Sequence, residues 1–139
     1  MIFSKKKDSK KKTFNLVKIA ALLIHAAKID ENYSEEEEEI IKKTLLEFGA
    51  NHNELDTLVE NAKENEIKSN QILDFTKEIK NLEEKDKIEI IKSLWRIIYS
   101  NKNADMYETN LMRRLAGLLY IDSKIMGGIK DQIKKEFSQ

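Results

Sequence analysis

Five oxygen-bearing side chains lie in two polar stretches of this 139-residue chain. Four of them form two pairs with the same separation of 71 residues. The five are Asp30 and Glu37 in the first stretch and Asn101, Asp105 and Glu108 in the second. Carboxylate and amide oxygens are the ligands that Mg²⁺ and Ca²⁺ prefer in proteins. The residue types therefore predict a site for a divalent cation, Ca²⁺ or Mg²⁺, if the fold brings the two stretches together.

The spacing of these residues does not make a calcium-binding EF-hand. Such a loop needs glycine at its sixth position and a bidentate glutamate at its twelfth. The first stretch has Glu35 and Ile41 at those positions, and the second has Met106 and Met112. A cation site would therefore have to be formed by the two stretches jointly.

The two glutamates also have a structural interpretation. Ser34 precedes Glu37 by three residues, and Asp105 precedes Glu108 by three, which is the spacing of a helix-capping box. Each such cap stabilises its helix by about 1 kcal/mol. A capping role and a role as cation ligands stay open as alternatives for both glutamates.

The two polar stretches belong to a repeated unit of two helices and a connecting loop. Residues 16–49 and 87–120 align when the chain is shifted by 71 positions, so that Glu37 meets Glu108. Duplications of this kind build pseudo-symmetric folds in which equivalent loops can face each other. We therefore expect the two polar loops to form one concavity.

The composition predicts a single all-α domain. The chain has no proline, no cysteine and four glycines, and its apolar residues recur at helical spacing, which together predict seven helices. A length of 139 residues suits one compact helical bundle. Helix starts are predicted at Ser69, at Asn81 with Glu84 and at Asp122, and a helix end is predicted at Gly49.

Charge is unevenly distributed along the chain. The formal net charge is zero, yet residues 1–12 hold six lysines and Asp8, a local charge of +5 that the remainder balances with −5. We predict a disordered basic tail over residues 1–13 and a helical domain over 14–139. Weak contact of Lys5–Lys12 with an anionic membrane surface is the alternative role for the tail, and no specific nucleic-acid partner is predicted. Because no apolar run is long enough to span a membrane, the chain is predicted to be cytoplasmic.

The run Glu35–Glu39 places five carboxylates at the predicted start of the second helix. Negative charge is favourable there because the N-terminal end of a helix carries a partial positive charge. The run is therefore interpreted as a solvated helix face. The alternative is an acidic surface for a basic partner or for cations.

Few residues point to catalysis. The histidines are His25, inside the first predicted helix, and His52, in a polar loop. The chain has no cysteine, no glycine-rich phosphate loop and no serine-nucleophile motif. The sequence therefore predicts a protein that is not an enzyme.

One part of the second unit is more specific than an amphipathic helix. Leu94-Trp95-Arg96 is followed by Tyr107-Glu108 and by Arg113-Arg114-Leu115-Ala116. With these motifs the chain resembles the TerB (tellurite-resistance protein B-like) family, over residues 14–136. The resemblance implies a compact all-α fold built from a duplicated unit, related also to the N-terminal domain of a DnaJ-like co-chaperone.

The resemblance also implies a ligand site. Each repeat of the family typically has Asp-Gly after its first helix and a glutamate seven residues after that aspartate, and these acids are discussed as a metal or ligand site. The first repeat here keeps Asp30 and Glu37 but has Glu31 in place of the glycine. The second keeps Glu108 but has Asn101-Lys102 in place of Asp-Gly. One of the four expected acids is thus an amide.

The residues and the resemblance together predict a small non-catalytic binding domain in the tellurite or envelope stress response. It would bind a divalent cation through its paired acidic loops. The alternative is a metal-free protein-interaction adaptor, in which the loop acids serve only as helix caps and the Lys-rich tail tethers the domain to an anionic surface. A protein partner is expected, and the sequence does not identify it.

Overall fold

The computed structural model describes residues 2–29, 33–69, 71–100 and 108–138, with side chains at 15–29, 33–69, 71–100 and 110–138. In these residues the chain forms seven α-helices and no strand, which confirms the predicted all-α class. A 3₁₀ turn (His52–Glu54) leads into the third helix, and a π-helical turn (Glu108–Met112) leads into the sixth. The helices are α1 (Ile2–Ala27), α2 (Glu35–Glu47), α3 (Leu55–Lys68), α4 (Leu73–Ile79), α5 (Glu84–Ser100), α6 (Arg113–Leu118) and α7 (Ser123–Ser138).

The helix α1 lies at the centre of the molecule. Every apolar side chain from Leu16 to Ala27 is buried, so α1 is apolar around most of its circumference. A helix of this kind must be covered on several sides. It packs most extensively against α3 and also contacts α2, α4 and α5.

The N-terminal part of α1 includes the Lys-rich segment for which the sequence predicts a disordered tail, because the helix begins at Ile2. Lysine has a high helix propensity, and residues 2–12 contain neither glycine nor proline, so nothing in the segment breaks the helix. The division into a tail over 1–13 and a domain over 14–139 stays a prediction. Neither α1 nor another helix in the described residues is long and apolar enough to cross a membrane.

Two of the predicted helix starts are confirmed. The Ser34 side chain caps α2 together with Glu37. At α7 the Asp122 carboxylate accepts a hydrogen bond from the Lys124 amide at 2.7 Å, which satisfies a donor that the helix itself leaves without a partner.

Two other predicted starts are wrong. The helix α5 begins at Glu84, and the Glu83 carbonyl accepts its first helical hydrogen bonds, so the Asn81–Glu84 pair is two positions out of register for a capping box. The helix α4 begins at Leu73, four residues beyond Ser69. Polar residues three apart are frequent in so charged a chain, and their spacing alone does not fix where a helix begins.

A buried pair of hydroxyl groups holds α2 against α5. Thr44 Oγ1 and Ser93 Oγ are 2.7 Å apart, and both side chains are buried. Because Thr44 Oγ1 also donates to the Ile40 carbonyl at 2.7 Å, Ser93 must be the donor in the pair. Thr44 lies two helical turns beyond Glu37, so this contact turns the face of α2 that carries Glu37 towards the interior.

Helix packing reflects the duplicated unit. The first helix of each repeat packs on the long helix that follows the repeat, α1 on α3 and α5 on α7. The second helices end at Glu47 and Leu118, which are 71 residues apart, the same offset as in the sequence. The two repeats therefore share this helix pairing and the position at which the second helix ends.

Candidate functional site

Glu37 is a buried carboxylate at the start of α2, with 3 % of its surface exposed. Its Oε1 atom accepts a hydrogen bond from the Ser34 amide at 2.9 Å, and its own amide donates to Ser34 Oγ at 3.1 Å. These two bonds are the predicted capping box. Burying a charge is costly unless it is hydrogen-bonded, and the box provides such a bond. The capping role of Glu37 is confirmed, and its role as a cation ligand stays a prediction.

Negative charge surrounds the end of the first loop. Burial raises the pKa of Tyr33 above its ordinary value, and the carboxylates of Glu38, Glu37 and Glu60 raise it further because they oppose a phenolate. Lys63 partly compensates, with its Nζ atom 3.2 Å from Glu38 Oε1 and 5.4 Å from the centroid of the Tyr33 ring. The carboxylates near Tyr33 thus oppose its ionisation, in addition to the larger effect of burial.

The acidic run Glu35–Glu39 does not form one uniform surface. Glu37 is buried, and Glu38 lies within 4 Å of both Lys42 and Lys63. Exposed ion pairs of this kind contribute little to stability, about 0–1 kcal/mol each. The remaining members of the run, which are exposed as the solvated-face interpretation requires, are Glu35, Glu36 and Glu39.

The side chains of the other four predicted ligands are not among those that the structure describes. Asp30, Asn101 and Asp105 lie outside the described residues, and Glu108 is described only by its backbone, at the start of the π-helical turn. Among the described side chains, no three acids or histidines come together in a way that could hold a metal ion. The convergence of the two loops, and the second capping box, stay predictions.

The histidines do not form a catalytic arrangement with the described residues. His25 Nδ1 is 3.3 Å from Glu66 Oε1, and the other oxygen of that carboxylate accepts from Lys28 Nζ at 2.6 Å. The His25 ring also lies 6.0 Å from the ring of Phe75, in a tilted contact. These contacts join α1 to α3 and α4, which is a packing role. His52 is exposed.

A cleft of about 610 Å³ lies between α4 and the C-terminal end of α6. The sequence analysis did not predict it, because its residues come from segments far apart in the chain. Two of the large apolar side chains that the described structure leaves exposed, Leu73 (44 %) and Tyr120 (74 %), line this cleft. The full lining is Gln71, Leu73, Asp74, Thr76, Lys77, Lys80, Gly117, Leu118 and Tyr120.

Tyr120 has an unusual backbone conformation. Its φ of 58° is the one positive value among the described non-glycine residues. The Ile121 amide donates to the Ala116 carbonyl at 2.9 Å and the Tyr120 amide to the Gly117 carbonyl at 3.4 Å, which is the Schellman ending of a helix. The left-handed residue of this motif is usually glycine, because other residues lose about 1–2 kcal/mol there.

The first repeat ends its second helix in the same way, with glycine. Gly49 has a φ of 98°, and its amide donates to the Leu46 carbonyl at 3.0 Å. The Ala50 amide donates to the Leu45 carbonyl at 3.0 Å. Gly49 and Tyr120 are 71 residues apart, so the duplicated turn carries glycine in one copy and a large exposed aromatic residue in the other. This difference between the two copies is the one feature of the sequence that could have drawn attention to the turn beside the cleft.

Lys87 of α5 supports the turn that carries Tyr120. Its side chain is buried, and its Nζ atom donates to the Leu119 carbonyl at 3.0 Å, near the C-terminal end of α6 where positive charge is favourable. The same Nζ atom lies 5.8 Å from the centroid of the Tyr120 ring. A cation at this distance from an aromatic ring is weakly attracted to it. The contact holds the ring beside the cleft while leaving most of it exposed.

The fold is thus a small all-α bundle of two pseudo-symmetric repeats, with a buried carboxylate at one loop and a mixed apolar and basic cleft at the end of α6. The family model described as Tellurite resistance protein TerB matches residues 16–130, and the chain belongs to this family. The family is not one of known enzymes. Neither the curated proteins nor the solved structures contain a match to the chain.

Proposed function

We propose that this chain is a non-catalytic ligand-binding domain of the tellurite or envelope stress response, and that its ligand is a divalent cation bound between the two polar loops. The observation that supports this proposal is the buried carboxylate of Glu37 at the end of the first loop. The 71-residue repeat supplies a matching carboxylate, Glu108, at the end of the second loop. A carboxylate that the fold keeps out of water, as it does Glu37, is suited to hold a cation rather than to form a solvent-exposed ion pair.

The chemistry of the proposed donor set fits Ca²⁺ or Mg²⁺. Both ions take oxygen ligands, and every proposed donor is a carboxylate or an amide. Glu37 Oε1 is already oriented by the Ser34 amide, and such an outer hydrogen bond is what fixes a ligating carboxylate. The bound cation would neutralise the charge of the two loops and so join the repeats. The residues that would hold it are Asp30, Glu37, Asn101, Asp105 and Glu108.

A second candidate is a metal-free protein-interaction adaptor. The capping box at Ser34 and Glu37 favours it, because that box alone explains why a glutamate occupies this position. In this case the exposed acids of the run Glu35–Glu39, or the Lys-rich segment, would recruit a protein partner. The Lys-rich segment could also hold the domain weakly on an anionic surface.

Isothermal titration calorimetry with Ca²⁺, Mg²⁺ and Zn²⁺ separates the two candidates. Glu37→Gln removes the charge of the carboxylate but keeps an oxygen that can accept from the Ser34 amide. Under the cation proposal, the wild type shows saturable binding that Glu37→Gln weakens at least tenfold, or about 1.4 kcal/mol. The control Glu39→Gln, an exposed acid of the same helix, leaves the affinity unchanged. The adaptor would be favoured if the wild type released no saturable heat with any of the cations. It would also be favoured if the wild type and Glu37→Gln bound the cation with equal affinity.

A further inference from the structure

The cleft between α4 and α6 combines apolar and basic side chains. Leu73 and Tyr120 are exposed beside it, and Leu118 adds apolar surface. Lys77 and Lys80 line the same cleft, and neither forms an ion pair with another described residue. Together with Asp74, the third charged residue of the lining, they give the cleft a net charge of +1.

The position of Tyr120 is not explained by folding. Its ring is 74 % exposed and contributes little to the core, and its left-handed backbone is the conformation that glycine adopts in the equivalent turn at Gly49. Strained residues that persist where a better choice exists are concentrated at binding sites. The strain and the exposed aromatic surface occur at the same residue, and that residue lines the cleft.

We propose that this cleft docks a short acidic, amphipathic segment of a partner protein. Aliphatic side chains of that segment would pack on Leu73, Leu118 and Tyr120, and its carboxylates would lie beside Lys77 and Lys80. Exposed apolar area with complementary charge at its edge is the usual character of a groove that binds an amphipathic helix. The proposal does not depend on the cation site, because Glu37 is not part of the cleft lining.

A small phosphate-bearing ligand fits the cleft less well. Such a ligand is held mainly by charge, whereas an amphipathic segment also gains from apolar contact, and the net charge of +1 in the lining is small for either. The volume of about 610 Å³ is within the range of ligand pockets. However, the exposed Leu73 and Tyr120 provide apolar contact that a phosphate group would not use. The exposed apolar surface therefore favours a peptide segment over a phosphate-bearing ligand as the occupant of the cleft.

Selection of short random peptides in a display library tests this proposal directly. The wild-type chain is the target, and Gly117→Trp is the variant in which the cleft is obstructed. An added Cβ at Gly117 would meet nothing within 4 Å, and Gly117 lines the cleft, so a tryptophan there is expected to obstruct it. Gly128→Trp on α7 is the matched control, because Gly128 is equally open and lies outside the cleft.

We expect the selected peptides to be enriched in acidic residues next to aliphatic ones. In fluorescence-polarisation assays, Gly117→Trp and the pair Lys77→Glu with Lys80→Glu should weaken their binding at least tenfold, or about 1.4 kcal/mol. Tyr120→Gly keeps the helix end and removes the ring, and should weaken binding to a similar extent. Gly128→Trp, and Lys134→Glu with Lys135→Glu on α7, should leave affinity within about twofold of wild type.

Circular dichroism and a cooperative thermal transition check that each variant is folded. Three results would overturn the proposal: no selected binder, binders without acidic enrichment, or binders whose affinity the cleft variants do not change. Addition of ATP to the ¹⁵N-labelled chain tests the phosphate-bearing ligand. Shifts in the cleft amides with ATP, in the absence of any peptide binder, would assign the cleft to small anions instead.

Discussion

Glu37 shows how one side chain can satisfy two interpretations. The sequence placed it three residues after Ser34, as a cap requires, and at the end of a polar loop, as a cation ligand requires. The structure confirms the cap, because both of its hydrogen bonds are present. The cation role depends on side chains from a second loop, and no local pattern in a sequence fixes the distance between two loops.

The cap at Ser34 should be measurable as stability. Ser34→Ala removes the oxygen that accepts from the Glu37 amide, so the free energy of unfolding should fall by about 1 kcal/mol in urea denaturation. Ser69→Ala is the control, since no side-chain hydrogen bond of Ser69 caps a helix among the described residues. An equal loss in both variants would show that the Ser34 bond contributes nothing specific.

The raised pKa of Tyr33 predicts that the folded chain loses stability at alkaline pH. Its pKa in the folded chain is raised, first by burial and then by Glu38, while in the unfolded chain it ionises near its ordinary value of about 10. The unfolded state therefore releases a proton that the folded state keeps, and stability falls as the pH rises above about 10. Urea unfolding of wild type and Tyr33→Phe at about pH 9 and pH 11 measures this effect. The variant should lose less stability than the wild type, and identical losses would contradict the assignment.

At the scale of elements, helix ends divide into those that the sequence predicts and those that it does not. Gly49 is a confirmed stop because glycine is the residue that a left-handed helix end favours. The end of α6 has the same hydrogen bonds but carries Tyr120, which no propensity rule predicts. The capping box predicted at Asn81 and Glu84 is wrong because the carbonyl of Glu83, not of Asn81, accepts the first helical hydrogen bonds of α5.

Backbone strain at Tyr120 should appear in a comparison of two variants. Tyr120→Ala keeps the strained conformation, whereas Tyr120→Gly relieves it, and both remove the ring. We expect the glycine variant to be more stable than the alanine variant by about 1 kcal/mol in chemical denaturation. Equal stabilities would mean that the turn is not strained in solution.

Replacement by alanine should change the free energy of unfolding in opposite directions at Gly128 and at Gly49. Gly128 lies in the interior of α7 with open space around it, so Gly128→Ala should raise the free energy of unfolding by about 1 kcal/mol. Gly49 has a φ of 98°, so Gly49→Ala should lower it by about 1 kcal/mol or more. Thermal or urea denaturation gives both values. A gain at Gly49, or a loss at Gly128, would contradict the helix ends described above.

At the scale of the whole molecule, the class of fold was predictable and the surface was not. A chain without proline whose apolar residues recur at helical spacing has few alternatives to a bundle. In α5, Ile91, Leu94 and Ile98 follow this spacing and are buried. The cleft arises because α4 and α6 meet, and that contact joins segments about 40 residues apart in the chain. In the sequence, the only sign of the cleft is that Tyr120 in the second copy of the repeat takes the place of Gly49 in the first.

The duplicated unit gives the account its central claim, that two equivalent loops form one cation site. Titration of the ¹⁵N-labelled chain with Ca²⁺ and with Mg²⁺, followed by ¹⁵N-HSQC spectra, tests this claim most directly. The account predicts that amides of residues 30–37 and 101–108 shift together along one saturating curve, and that Glu37→Gln abolishes these shifts. Shifts confined to the run Glu35–Glu39 that do not saturate, or that persist in Glu37→Gln, would contradict it.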